Sequence, residues 1–125
     1  MQKTLKFLFI SAVILLTTCN TKSKTKVSFS FDVQPIFNNN CFSCHISDGY
    51  TSANLKLNSY ETLMNDTSYN GPVVIPKYPE RSILIDKIAN ETPAFGSRMP
   101  INLPPLDEED IRTIETWIYY GAEDN

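Results

Sequence analysis

The stretch from Asn38 to Tyr50 reads NNNCFSCHISDGY. Five of its positions, Cys41 to His45, hold two of the chain's three cysteines and its only histidine. Such side chains ligate metals, form disulfides, act as redox thiols or carry a covalently attached group. Which of these Cys41, Cys44 and His45 do decides the fold, because the rest of the chain is small. Its 125 residues suffice for one domain and not comfortably two. A domain of roughly 100 residues buries only about 60–70% of its unfolded surface, so a staple or a cofactor helps to hold it.

Ligand arithmetic counts against structural zinc, which takes four ligands, commonly from two Cys or Cys/His pairs. Cys41, Cys44 and His45 are three, and no other cysteine or histidine remains in the folded part. Adjacent Cys44 and His45 also do not close easily on one tetrahedral ion. A thioredoxin-like dithiol belongs at a helix start within a βαβ frame, and this chain lacks the strand patterns. A Cys41–Cys44 disulfide would close a tiny loop and constrain little unfolded-chain entropy. The fourth use is haem, since Cys-x-x-Cys-His is the attachment motif of the c-type group. Cysteines at i and i+3 share one face of a helical turn, so both can reach vinyl groups along one porphyrin edge. The next residue, His45, then projects over the ring and can present Nε2 to iron.

Upstream of this motif the chain changes character. Lys3 and Lys6 precede FLFISAVILL at residues 7–16, a basic segment followed by a short apolar run. That is the pattern of an export signal, and the run is too short to span a hydrocarbon core of about 30 Å. Leu16-Thr17-Thr18-Cys19 resembles the lipobox of bacterial lipoproteins, although Thr18 stands where Gly, Ala or Ser is usual. The expectation is a signal over residues 1–18 and acylation of Cys19, anchoring without spanning. Residues 19–27 then read as a tether. Asn20 to Lys26, NTKSKTK, has no apolar residue and three lysines, which suits anionic headgroups or plain solvent. The whole chain carries a formal charge of −3, and loss of Lys3 and Lys6 with the signal makes it more negative. An acidic balance disfavours nucleic acid as a partner.

Residues 28–125 read as the folded domain. Ser28 or Ser30 can cap a helix with Asp32 in its first turn. Because Pro35 suits only a helix start, the helix is placed over Asp32 to Cys44, with a break at the asparagines. Val33, Ile36 and Phe37 form its apolar face. Ser47-Asp48-Gly49 marks a loop. Ser59 can cap a short helix over Tyr60 to Asn65. Asn70-Gly71-Pro72 is a turn, and Val73-Val74-Ile75 a buried extended segment. Pro79 to Ala89 has the spacing of one helix. Asn90 to Pro105 is a proline-rich loop. Asp107 caps the last helix, Leu106 can staple onto Ile111, and Ile111, Ile114 and Ile118 make its inner stripe, flanked by Trp117 and Tyr120. Gly121 ends it. Three or four helices with almost no sheet define a small all-α domain.

FDVQPIFNNNCFSCH, LKLNSYETL, VVIPKYPERSILIDKI, RMP and LDEEDIRTIETWIYYGAEDN together resemble the small single-haem, class I type c-type cytochromes. More narrowly, the chain is similar to cytochrome domains of secreted and lipid-anchored bacterial proteins, over about residues 28–123. The resemblance implies a small helical bundle around one covalent haem c, with first and last helices packed together. It implies thioethers at Cys41 and Cys44, His45 as proximal ligand and Met99, of Met99-Pro100, as distal ligand. Met64 is the competing methionine. Leu55, Leu57, Val74, Ile75, Ile83 and Leu84 are the expected apolar pocket, and Arg98, Arg81 and Tyr78 the candidates for the propionates. Lys77 and Tyr78 follow Pro76 where the family often has glycine. No proline lies between His45 and Leu55 to supply the carbonyl that often receives the proximal histidine's other N–H, so that acceptor is unassigned. The implied function is single-electron transfer between redox protein partners, on the periplasmic side of a bacterial membrane, by a protein that is not itself an enzyme. The rival readings are a haem-based ligand sensor or weak peroxidase with an open or labile sixth iron position, and a purely structural haem.

Overall fold

The structure is a computed structural model and describes residues 26–46, 55–65 and 67–125. The expected signal, Cys19 and most of the tether lie outside the described residues, as does the Ser47-Asp48-Gly49 loop. Four α-helices carry the fold: α1 (Gln34–Asn40), α2 (Tyr60–Asn65), α3 (Ile83–Ala89) and α4 (Glu108–Tyr119). The pairing of β1 (Thr67–Ser68) with β2 (Gly71–Pro72) is antiparallel and two residues long, too short to form a layer. Among the described residues no helix is long and apolar enough to cross a membrane.

The first helix begins earlier than the Pro35 argument places it. A π-helical turn, Phe29–Val33, leads directly into α1. Ser28 caps it, its Oγ accepting from the Phe31 N–H at 3.3 Å while its own N–H donates to Asp32 Oδ2 at 2.8 Å. This is the reciprocal logic of a capping box, with the acid one position later because the turn is wider. Pro35 falls at the start of the α-helical part, where a missing N–H costs little. The helix runs through the asparagines and ends at Asn40, so Cys41 to Cys44 form turns rather than helix.

The expected helix over Pro79 to Ala89 is divided. Pro79–Arg81 is a 3₁₀ turn, Ser82 is extended (φ −82°, ψ 124°), and α3 starts at Ile83. The cause is the Ser82 hydroxyl, 2% exposed, which accepts from the Ile75 N–H at 2.9 Å and donates to the Tyr78 carbonyl at 3.0 Å. A serine side chain that bonds nearby backbone competes with the helical ladder. The remaining elements follow the sequence closely. Ser59 Oγ accepts from the Thr62 N–H at the head of α2, and Asp107 Oδ1 accepts from the Asp110 N–H at the head of α4.

The core sits where the first and last described segments meet. Val33, Ile36 and Phe37 are buried on one side, and Leu106, Ile114, Trp117 and Ile118 on the other. Phe29 packs against Trp117 with ring centroids 5.3 Å apart. Tyr120, by contrast, is exposed; it lies just past the end of α4 and before Gly121 (φ +115°), a conformation that suits glycine. Asn125 closes the ring of contacts. Its Oδ1 accepts from the Phe29 N–H at 2.8 Å, and its backbone oxygen accepts from Ser28 Oγ and from the Ser30 N–H. Lys26 is ion-paired with Glu123, and Val27 is buried in the core.

Candidate functional site

The turns after α1 set the two cysteines. The Phe37 carbonyl accepts from the Cys41 and Phe42 N–H groups, and the Cys41 carbonyl accepts from the Cys44 and His45 N–H groups, both at 3.1 Å. A single tight turn therefore carries Cys41, Cys44 and His45. Both thiols are unbridged, Cys41 half-buried and Cys44 exposed. Burial, with a smaller contribution from Cys44, pushes the Cys41 thiol up to about 11. It is then a neutral thiol at pH 7, unlike the low-pKa thiolate a dithiol oxidoreductase uses. Among the described residues no group of three or more His, Cys, Asp or Glu side chains could hold a metal ion.

His45 is buried, and its Nδ1 lies 3.1 Å from the Leu55 carbonyl oxygen. A carbonyl oxygen only accepts, so in the neutral imidazole this contact selects the tautomer with the proton on Nδ1, in which Nε2 keeps its lone pair. That is how a ligating histidine is held in other proteins: one nitrogen is tied to an acceptor, which fixes the tautomer and the ring plane. The acceptor left unassigned by the sequence is thus Leu55. Its position is fixed from both sides. The Leu57 N–H donates to the His45 carbonyl at 3.1 Å, and Gln34 Nε2 on α1 donates to the Leu57 carbonyl at 3.0 Å.

Cys41, Cys44, His45 and Met99 all line one cavity, open in part to solvent. Its wall is mainly apolar, from Leu55, Leu57, Val73, Ile83, Leu84, Ile88 and Phe95. Four of the six expected pocket residues are there. Val74 is buried in the core and Ile75 is half-buried, while Val73 takes their place. Successive side chains of an extended segment point to opposite faces, so choosing between neighbours needs the register, which a run of three apolar residues does not reveal. Met64, on α2, packs against the core without lining the cavity. Arg98, Arg81 and Tyr78 do not line it either, and Arg81 stacks over the Tyr78 ring at 5.3 Å. The charged residue in the wall is Lys87, which lies within the predicted Pro79 to Ala89 helix.

These residues fit a c-type haem: two unbridged thiols a turn apart, a histidine with Nε2 unprotonated, and an apolar cavity between them and a methionine. Fold and site together define a small all-α, cytochrome c-like domain. Residues 41–100 match the model of a family described as Planctomycete cytochrome C. Among solved structures the chain is similar to Kuenenia stuttgartiensis hydrazine synthase, with a TM-score of 0.52 and 22% identity. That likeness is one of fold, and it covers 77% of this chain and 16% of the other. No curated protein matches by sequence.

Proposed function

We propose that this protein is a c-type cytochrome that carries single electrons between redox proteins. One haem c would be held by thioethers at Cys41 and Cys44, with His45 and Met99 on the iron. The observation that carries the reading is the His45–Leu55 hydrogen bond, which leaves Nε2 free in a cavity that also takes in both thiols and Met99. Bound there, haem supplies a one-electron Fe(II)/Fe(III) couple, and a thioether ligand favours the reduced form. His45 would hold the iron from one side and Met99 from the other, with the apolar wall excluding water; bound by both, the haem would serve a carrier rather than an enzyme. The chain's single histidine leaves no distal imidazole for peroxide chemistry. The basic and apolar N-terminal pattern and Cys19 support export and lipid anchoring on the periplasmic side. A tether of that kind raises the local concentration of membrane-bound partners.

Expression with the haem-maturation machinery tests this directly. Haem staining on a denaturing gel is expected for the natural chain and lost in Cys41→Ala/Cys44→Ala. The ferrous protein is expected to be low-spin and to bind carbon monoxide slowly or not at all, with fast binding in Met99→Ala. A natural chain without covalent haem, or one that is high-spin and binds carbon monoxide at once, overturns the electron-carrier reading in favour of another use of the site or a ligand sensor.

A further inference from the structure

Met99 lies on a strap, residues 90–100, that has no helix or strand of its own. A loop of that length owes its position to whatever it is tied to, and here the ties converge on the last turn of α3. The Met99 N–H donates to the Lys87 carbonyl at 2.8 Å. Lys87 Nζ donates to the Phe95 carbonyl at 2.6 Å and sits 4.8 Å from the centre of the Phe95 ring. One residue therefore grips the strap at both ends of a five-residue arc, with its backbone at Met99 and its side chain at Phe95. Between these points is Gly96, at φ +60°, where an added Cβ would come within 3.2 Å of Lys87 Nζ. The arc is thus built around the ammonium group.

The choice of residue is informative. An ammonium beside an apolar cavity loses hydration, a cost that is met only where it finds partners. Its hydrogen-bond and ring partners here are a carbonyl oxygen and an aromatic face, both belonging to the strap, beside a weaker electrostatic contact with Asp86 on its own helix. If the strap lifts, the ammonium loses both partners together, so the charge favours the closed arrangement. An apolar residue at 87 could fill the same volume but would give the strap no such preference.

We infer that Lys87 is the positioning residue of the distal strap: its side chain, acting through Phe95, holds Met99 over the cavity. This rests on the reading of Met99 as distal ligand. Lys87 does not touch the iron. It sets how often the Met99 position is vacated, and so how well the iron is closed to outside ligands.

Carbon monoxide binding to the ferrous holoprotein is the readout, because it requires Met99 to leave. Carbon monoxide is also neutral, so removing a charge nearby changes its rate little by itself. Lys87→Met should bind it at least tenfold faster than the natural protein, at equal covalent haem content, and Lys87→Arg should restore slow binding. Should Lys87→Met fail to accumulate as holoprotein, Lys87→Gln, too short to reach Phe95, is expected to show the same acceleration. The inference is overturned if Met99→Ala binds quickly while Lys87→Met, or Lys87→Gln in its place, stays within twofold of the natural protein. A natural protein already as fast as Met99→Ala overturns the distal-ligand reading itself, and this inference with it.

Discussion

At the scale of single residues, Ser82 shows how one hydroxyl can redirect the chain. It satisfies the N–H of Ile75 and the carbonyl of Tyr78 from a buried position. Ser82→Ala leaves the Ile75 N–H without that partner, while the Tyr78 carbonyl keeps the Arg81 N–H. The expected loss is about 1–3 kcal/mol, read from denaturant unfolding as a lower midpoint at unchanged slope. A variant as stable as the natural protein would mean that the Ile75 N–H finds another partner. This residue also marks a limit of legibility. Pro79 to Ala89 has the composition of one helix, and a serine within it is unremarkable from sequence. The break arises because the 73–75 segment, well before α3 in the chain, brings an unpaired N–H to that hydroxyl. Leu55 is a similar case. Its side chain is legible as apolar, but its contribution to His45 is a backbone oxygen, which no residue type announces. Cys41, Cys44 and His45 are readable for the opposite reason: their chemistry is local, and the spacing alone constrains it.

At the scale of elements, α3 and the strap behave as one unit, joined by Asp86 as well as by Lys87. Asp86 Oδ2 accepts from the Ala94 N–H at 2.9 Å, and Asn90 Nδ2 donates to Asp86 Oδ1. The Ala94 bond first, and the Asn90 bond second, hold the Asp86 carboxyl below its ordinary value. The sign follows from that direction. A carboxyl lowered on folding contributes stability above its unfolded value of about 3.9, and that contribution is lost as pH falls through the lowered folded value. Asp86→Asn should therefore give a shallower loss of stability on acidification below about pH 4, seen in thermal unfolding across a pH series. Equal acid slopes in the two proteins would show that the Ala94 contact carries no linkage. The contrast with α4 is instructive. Its cap and its stop lie within one stretch of sequence, so its limits are legible. The strap's anchors lie on another element, and only its proline-rich, non-helical character can be read.

At the scale of the whole molecule, the two ends of the described chain form a clasp. Asn125 bonds Ser28, Phe29 and Ser30, Glu123 pairs with Lys26, and the Trp117 indole N–H donates to the Glu123 carbonyl at 2.9 Å. The packing of first on last helix is legible through its resemblance to the cytochromes, whereas the part played by Asn125 is not, because its partners lie at the far end of the domain's sequence. Adjoining ends have a topological consequence. The order in which the segments are joined is separable from the shape they make, so the chain can be opened elsewhere and closed here. A circular permutant with a short linker from residue 125 to residue 26 and new ends between exposed Pro104 and Pro105 should keep the helical circular dichroism and acquire covalent haem. Loss of both would show that the order of the segments cannot be separated from the fold. A unit of this kind can also be spliced into a longer polypeptide without disturbing its interior, and in the hydrazine synthase that shares its fold the matching region is 16% of the chain.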